Sequence, residues 1–144
     1  DSDMRESAAR LLREKQWTGG EKQLARAALR DGAADVRREC RRALAVVGGE
    51  ESRPVLHRVL LDEPNKKYRL EVAELLEGAP LPMDRGPLVS ALDDPYAKIA
   101  IVAARGLARL GDKSVAAILR TKALESKSRA VAEEFNQAAA VLGD

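Results

Sequence analysis

The chain has 144 residues, enough for one domain with a sizeable buried core. Hydrophobic residues make up 45% but aromatics only 3%, so Ala, Leu and Val must fill the interior. That favours close-packed helices over a sandwich of aromatic-rich strands. Charged residues are 33% at a formal net charge of +2, with 16 Lys/Arg against 13 Asp/Glu in residues 1–72 and 9 against 10 in residues 73–144. This asymmetry is too small by itself to indicate nucleic-acid binding. No apolar run approaches the ~18 residues of a membrane-spanning helix, and no signal peptide is visible. Cys40 is the single cysteine, which rules out an intramolecular disulfide and points to a reducing, cytoplasmic compartment. The opening Asp1-Ser2-Asp3 reads as a trimmed start, compatible with a removed targeting segment.

In chain order the dominant signal is a repeat. Five segments, Asp3-Met4-Arg5, Asp35-Val36-Arg37, Lys67-Tyr68-Arg69, Lys98-Ile99-Ala100 and Ala130-Val131-Ala132, have middle residues 32, 32, 31 and 32 apart. Four residues beyond each middle residue lie Ala8, Cys40, Val72, Ala103 and Phe135, and eight beyond lie Leu12, Leu44, Leu76, Leu107 and Ala139. Leu29, Leu61, Leu92 and Leu124 keep the same register upstream. Each unit reads as two helices. Helix A is expected over 21–30, 51–61, 84–92 and 113–125, and helix B over 2–14, 34–47, 66–77, 96–110 and 128–142. In the 34–47 helix, Val36, Cys40, Ala43, Leu44 and Val47 share one face at helical spacing.

Turn chemistry separates these helices. Asp31-Gly32, Asp62-Glu63-Pro64 and Asp93-Asp94-Pro95 lie between A and B, where an acid can cap the next helix and proline suits its first turn. Gly48-Gly49 and Gly111 are expected as positive-φ stops after helix B, and the last unit closes on the small-residue turn Leu142-Gly143-Asp144. The one irregular connection is Gly78-Ala79-Pro80-Leu81-Pro82. The units divide at about 1–17, 18–49, 50–80, 81–111 and 112–144, as a single repeat domain. The first unit has helix B without helix A, so the parent chain is expected to extend further towards the N-terminus, with Trp17 covering the open end of the core.

These residues resemble the HEAT-like repeats of the short bacterial kind also found in phycobilin lyase subunits. The resemblance is carried by Ala28-Leu29-Arg30-Asp31, Asp35-Val36-Arg37, Ala43-Leu44, Ala91-Leu92-Asp93-Asp94, Ala103-Ala104 and Gly106-Leu107-Ala108-Arg109-Leu110-Gly111-Asp112. It spans nearly the whole chain. It implies an all-α fold, a right-handed α-α superhelix of about five helix pairs with the first truncated, helices B lining the concave side. It further implies a ladder between successive repeats, built from an acid and an arginine six residues apart: Asp31 with Arg37, and Glu63 with Arg69. The ladder fades where Ala100 and Ala132 replace arginine, leaving C-terminal stacking to apolar contact.

Beyond stacking, helix 34–47 carries Arg38, Arg41 and Arg42, with Arg10 and Arg13 in the preceding helix B. Arg38 and Arg42 point away from the core face, and Arg41 stands where the family usually has alanine. Such a cluster suits acidic peptide, phosphate or RNA, or is a solvated face balanced by Glu6, Glu39 and Glu74. Leu70 and Ile101 occupy the register of Arg38 in later units, bordered by Glu74 and Arg105. They form either a protein-contact patch or buried inter-unit packing. His57 and Cys40 lie on different helices, and Cys40 occupies a core position, so an inert thiol is expected. No phosphate loop, zinc histidine pair or nucleophile elbow is visible. The reading is a non-catalytic binding module without cofactor, small-molecule substrate or membrane contact. It presents the helix-B surface (Arg10, Arg38, Arg41, Arg42, Leu70, Glu74, Ile101 and Arg105) to a protein partner or another domain of its own chain. The alternatives are phosphate binding through the N-terminal basic helices, or a chromophore lyase-like subunit.

Overall fold

The structure, a computed structural model, describes residues 1–17, 19–50 and 52–143. Among them it is all helical, with nine α-helices and no strand. The elements are α1 (Ser2–Glu14), α2 (Glu21–Arg30), α3 (Ala34–Val47), α4 (Arg53–Asp62), α5 (Lys66–Gly78), α6 (Arg85–Ala91), α7 (Ala97–Leu110), α8 (Ala116–Glu125) and α9 (Arg129–Leu142). Short 3₁₀ turns at Pro82–Asp84 and Lys113–Val115 lead into α6 and α8. The first three helices have the expected bounds. Residue 51, the expected start of the next helix, and Asp144 of the final turn lie outside the described residues.

The helices gather into two compact units, Asp1–Glu63 and Pro64–Asp144. The boundary falls in the turn between α4 and α5. In the first unit α3 is central, with α1, α2 and α4 packed on it. Its core contains Leu24, Ala28, Val36, Cys40, Leu44, Leu56 and Leu60, all buried. In the second unit α7 holds the centre, against α5, α6 and α9, and α8 packs on α9. Val72, Leu76, Leu88, Ile99, Ala103, Leu107, Leu119 and Phe135 fill that core. Burying each leucine contributes about 1.5–3 kcal/mol, so the four in the first unit and six in the second outweigh any surface contact.

Small side chains bring the helix-B elements close together. Ala100, Ala103, Ala104 and Gly106 are all buried on α7. A Cβ added at Gly106 would sit 3.2 Å from Leu88 Cδ1 and 3.5 Å from Glu77 Cα, so the glycine admits α5 and α6 at short range. Leucines 24, 56, 88 and 119, one from each helix A, are at most 3% exposed and repeat the period of the helix-B anchors.

Several local expectations change. Gly48 has φ −75° and is no positive-φ stop. A Cβ there would collide with the Leu44 carbonyl and Ser52 Oγ, so the glycine serves close approach. Gly111 (φ 75°) and Gly143 (φ 78°) do take positive φ. Pro64 and Pro95 lie in the turns ahead of α5 and α7 and not in the helices' first turns. Trp17 is 62% exposed and therefore does not cover the core. Met4 and Ala8 of α1 are exposed, whereas Val36 and Cys40, their register mates on α3, are buried. Asp84, fully buried, accepts the Leu81 amide at 2.8 Å and holds the irregular 78–82 connection against α6.

The turn acids tie neighbouring helix pairs together. Asp31 accepts the Ala33 amide (2.9 Å) and a two-pronged bond from Arg5 (2.8 and 3.1 Å). Asp94 accepts the Tyr96 amide (2.9 Å) and the fork of Arg69 (2.9 and 3.2 Å). Near the other end Asp112 accepts from Ser114 and from Arg85. The Arg5 guanidinium and the Ala33 amide hold the Asp31 carboxyl below the usual 3.8. The Ser114 hydroxyl, with Arg85, does the same for Asp112. A depressed folded-state pKa gives stability that is fully present above the unfolded value and is lost as pH falls through the folded one. Urea midpoints should therefore drop as the pH is taken below about 3.8, the ordinary carboxyl value. Asp31→Asn with Asp112→Asn should lower the midpoint at neutral pH and flatten this acid limb. An acid limb as steep as in the wild type would remove these two carboxylates as its source.

Candidate functional site

The sequence placed its candidate surface on the outward faces of the helix-B elements: α1 and α3 in the first unit, α5, α7 and α9 in the second. On α3 the arginines sort by depth. Arg41 is buried at 4% exposure; its Nε donates to the Ala28 carbonyl (3.1 Å), and its Nη2 lies 3.6 Å from Glu63 Oε2. This corrects the expectation of Arg41 as a surface anchor. Its guanidinium joins α3 to the end of α2 and to the turn after α4. The register arginine Arg37 donates instead to the Asp31 backbone carbonyl at 2.6 Å. Side chains that pair across helix pairs include Arg5 with Asp31 and Arg69 with Asp94, and Glu63 lies against Arg41.

Glu39, expected on a solvated face, is buried at 5% exposure. It binds Arg42 Nη1 (2.8 Å) and lies 3.2 Å from Arg13 Nη1, clasping α1 to α3. Arg10 pairs with Glu6 (2.7 Å) and Arg38 with Asp35 (3.7 Å). Every basic side chain of the cluster therefore meets a carboxylate within its own unit, which blunts the positive field a phosphate backbone would need.

In the second unit the faces of α5, α7 and α9 lie side by side. Leu70 and Ile101 are half-buried, midway between an exposed patch and core packing, and Glu74 is exposed. Arg105 binds Glu134 through a fork (2.9 and 3.4 Å) and keeps 55% of its side chain exposed. Sequence reasoning passed over a neighbouring feature: a groove of ≈ 350 Å³ beside Arg105, lined also by Glu77, Ala108, Arg109, Glu134, Gln137, Ala138 and Val141. Its signal was available, because Arg105 and Arg109 stand one helical turn apart on α7, and Val141 follows Ala138 on α9.

A second hollow, of ≈ 410 Å³, opens where the ladder lapses; Ala100 and Ser126 line it, with Phe135 and Val131 at its apolar side. The expected thinning of the ladder here is accompanied by other pairs, Lys122 with Asp93 (2.7 Å) and Arg85 with Asp112 (2.6 Å). Charge still ties this end of the chain.

Among the described residues, no three or more His, Cys, Asp or Glu side chains gather so as to hold a metal ion, and no helix is long and apolar enough to cross a membrane. Cys40 is buried, and desolvation, with Asp31 and Glu39 nearby, pushes its thiol up to about 11. No protein-family model matches the chain, and no curated protein matches it significantly. What the geometry defines is an all-α protein of packed helix pairs.

Two outcomes follow from these depths. Arg41→Ala should cost about 1–3 kcal/mol in urea unfolding, because it strands the Ala28 carbonyl, whereas Arg10→Ala, which breaks only a surface pair with Glu6, should stay within about 0.5 kcal/mol. Equal effects would return Arg41 to the surface. Ellman's reagent at neutral pH should label Cys40 only as fast as the first unit opens, with labelling accelerating across the urea transition. Rapid stoichiometric labelling of the native protein would contradict a protonated, buried thiol.

Proposed function

We propose that the chain is a HEAT-like binding module, an α-solenoid that holds a protein partner along its helix-B surface and catalyses no reaction. The observation that carries this reading is the lateral alignment of helix-B elements, α1 with α3 and α5 with α7 and α9. They recur at the sequence period and leave matching outward positions open: Arg10 and Arg42 in one unit, Glu74, Arg105 and Gln137 in the other. Aligned helices of fixed spacing form a surface whose shape costs little conformational entropy on binding. Half-buried Leu70 and Ile101 add apolar area among charged neighbours, as interface centres do.

The test compares proximity labelling in cells by the wild-type chain and by a variant with Arg10→Ala, Arg42→Ala, Leu70→Asp and Ile101→Asp. Circular dichroism first establishes that the variant is folded. Specific neighbours should be lost from the variant's profile. An identical profile would mean that partners, if any, use another surface. The same wild-type protein titrated with RNA at rising salt checks the phosphate reading: tight binding that weakens steeply with salt would favour nucleic acid instead.

A further inference from the structure

The groove between α7 and α9 has a sign and a chemistry that narrow its partner. Arg105 and Arg109 each keep 55% of their side chain exposed, whereas their carboxylate neighbours Glu134 and Glu77 are recessed at 27% and 29%. The ion pairs therefore turn their cationic ends outward. Arg105 spends its Nε and one Nη on Glu134, which leaves its other Nη donors facing solvent. Arg109 lies 3.8 Å from Glu77 Oε1, too far for a hydrogen bond, so its guanidinium fork is open to an incoming carboxylate. The two arginines stand four residues apart on one helix, the spacing that places their heads on one face.

Beside these cations the wall is apolar. Val141 is 73% exposed on α9, with Ala138 buried at its foot. An aliphatic residue left at that exposure gains from being covered, and arginines flanking an apolar spot are the composition typical of interface centres.

We infer that this groove docks an acidic, leucine-bearing segment of a protein partner, its carboxylates on Arg105 and Arg109 and a leucine on Val141. The inference rests on the binding-module reading and assigns the partner's chemistry at one place on that surface. Glu77 and Glu134 have a part in it. They fix the arginine heads and repel a segment that is acidic throughout, so the leucine and the spacing of acids matter as well as charge.

The experiment uses the full chain and a fluorescein-labelled peptide alternating paired glutamates with paired leucines, read by anisotropy. Two control peptides replace its leucines by serine or its glutamates by lysine. The glutamate–leucine peptide should bind, the serine peptide should bind more weakly, and the lysine peptide should not bind. Arg105→Gln with Arg109→Gln should weaken binding about tenfold or more, as loss of charge-assisted contacts does. Val141→Asp should weaken it comparably. Lys127→Glu with Arg129→Glu, a charge change outside the groove, should leave it unchanged. Equal weakening by the groove and control variants would overturn the site, and equal binding of the serine peptide would overturn its apolar half. Preference for the lysine peptide, or displacement of the probe by RNA with no loss in the groove variants, would overturn the whole inference. Absence of peptide binding together with the cellular losses predicted above would discard this groove and keep the binding-module reading. An unchanged cellular profile with groove-dependent peptide binding would remove Arg10, Arg42, Leu70 and Ile101 from the binding surface and keep the groove as the place of docking.

Discussion

None of the described helices is long enough to stand alone. The described helices run from 7 to 14 residues, and isolated helices below ~12–15 residues are marginal in water. Each must therefore bury a stripe against a neighbour. With aromatics at only 3% of the chain, that stripe is built from leucine, valine and alanine. Short side chains fill space only when backbones come close, and this single requirement governs the rest. It explains why α3 and α7 are the most deeply buried helices, why alanine and glycine crowd α7, and why glycine stands at position 48.

Close packing leaves a polar problem at every turn, since helix ends carry amides and carbonyls without intrahelical partners. The turn acids answer it twice over. Asp31 and Asp94 each satisfy a backbone amide two residues on, and each receives an arginine from the preceding helix B. Arg37 and Arg69 donate to turn carbonyls, and Arg41 does the same for the end of α2. Charge here is interior joinery before it is surface. The positive residues left over for recognition are fewer than composition suggests.

This division explains how far the sequence could be read. The helices were legible because the anchor residues recur at one period and because Asp, Pro and Gly punctuate them. A second row, Leu24, Leu56, Leu88 and Leu119, carries the same period and is buried more uniformly than the upstream leucines, of which Leu124 is 89% exposed. The aligned leucines were visible in the sequence; their depth was not, because adjacent leucines on a short helix cannot be ranked by periodicity. Arg41 and Glu39 misled for a related reason. A helical wheel shows which way a side chain leaves its own helix but not what neighbouring helix meets it. Burial of charge depends on partners distant in sequence: Ala28 and Glu63 for Arg41, Arg13 for Glu39. The arginine pair on α7 was legible as spacing, while the recess of its glutamates was not.

Gly106 sets a dimension that no partner would touch. Because the position lacks a side chain, α7 can lie against Leu88 and against the backbone of Glu77, the residue whose carboxylate faces Arg109 across the groove. The approach of α7 to α5, which carries the glutamate at the groove's edge, is thus set by a position in the interior. An alanine at 106 would bring its methyl to 3.2 Å from Leu88 Cδ1, and α6 would have to give by a few tenths of an ångström while every residue lining the groove kept its identity. A surface can in this way be adjusted from beneath, without the exchange of any residue that it displays.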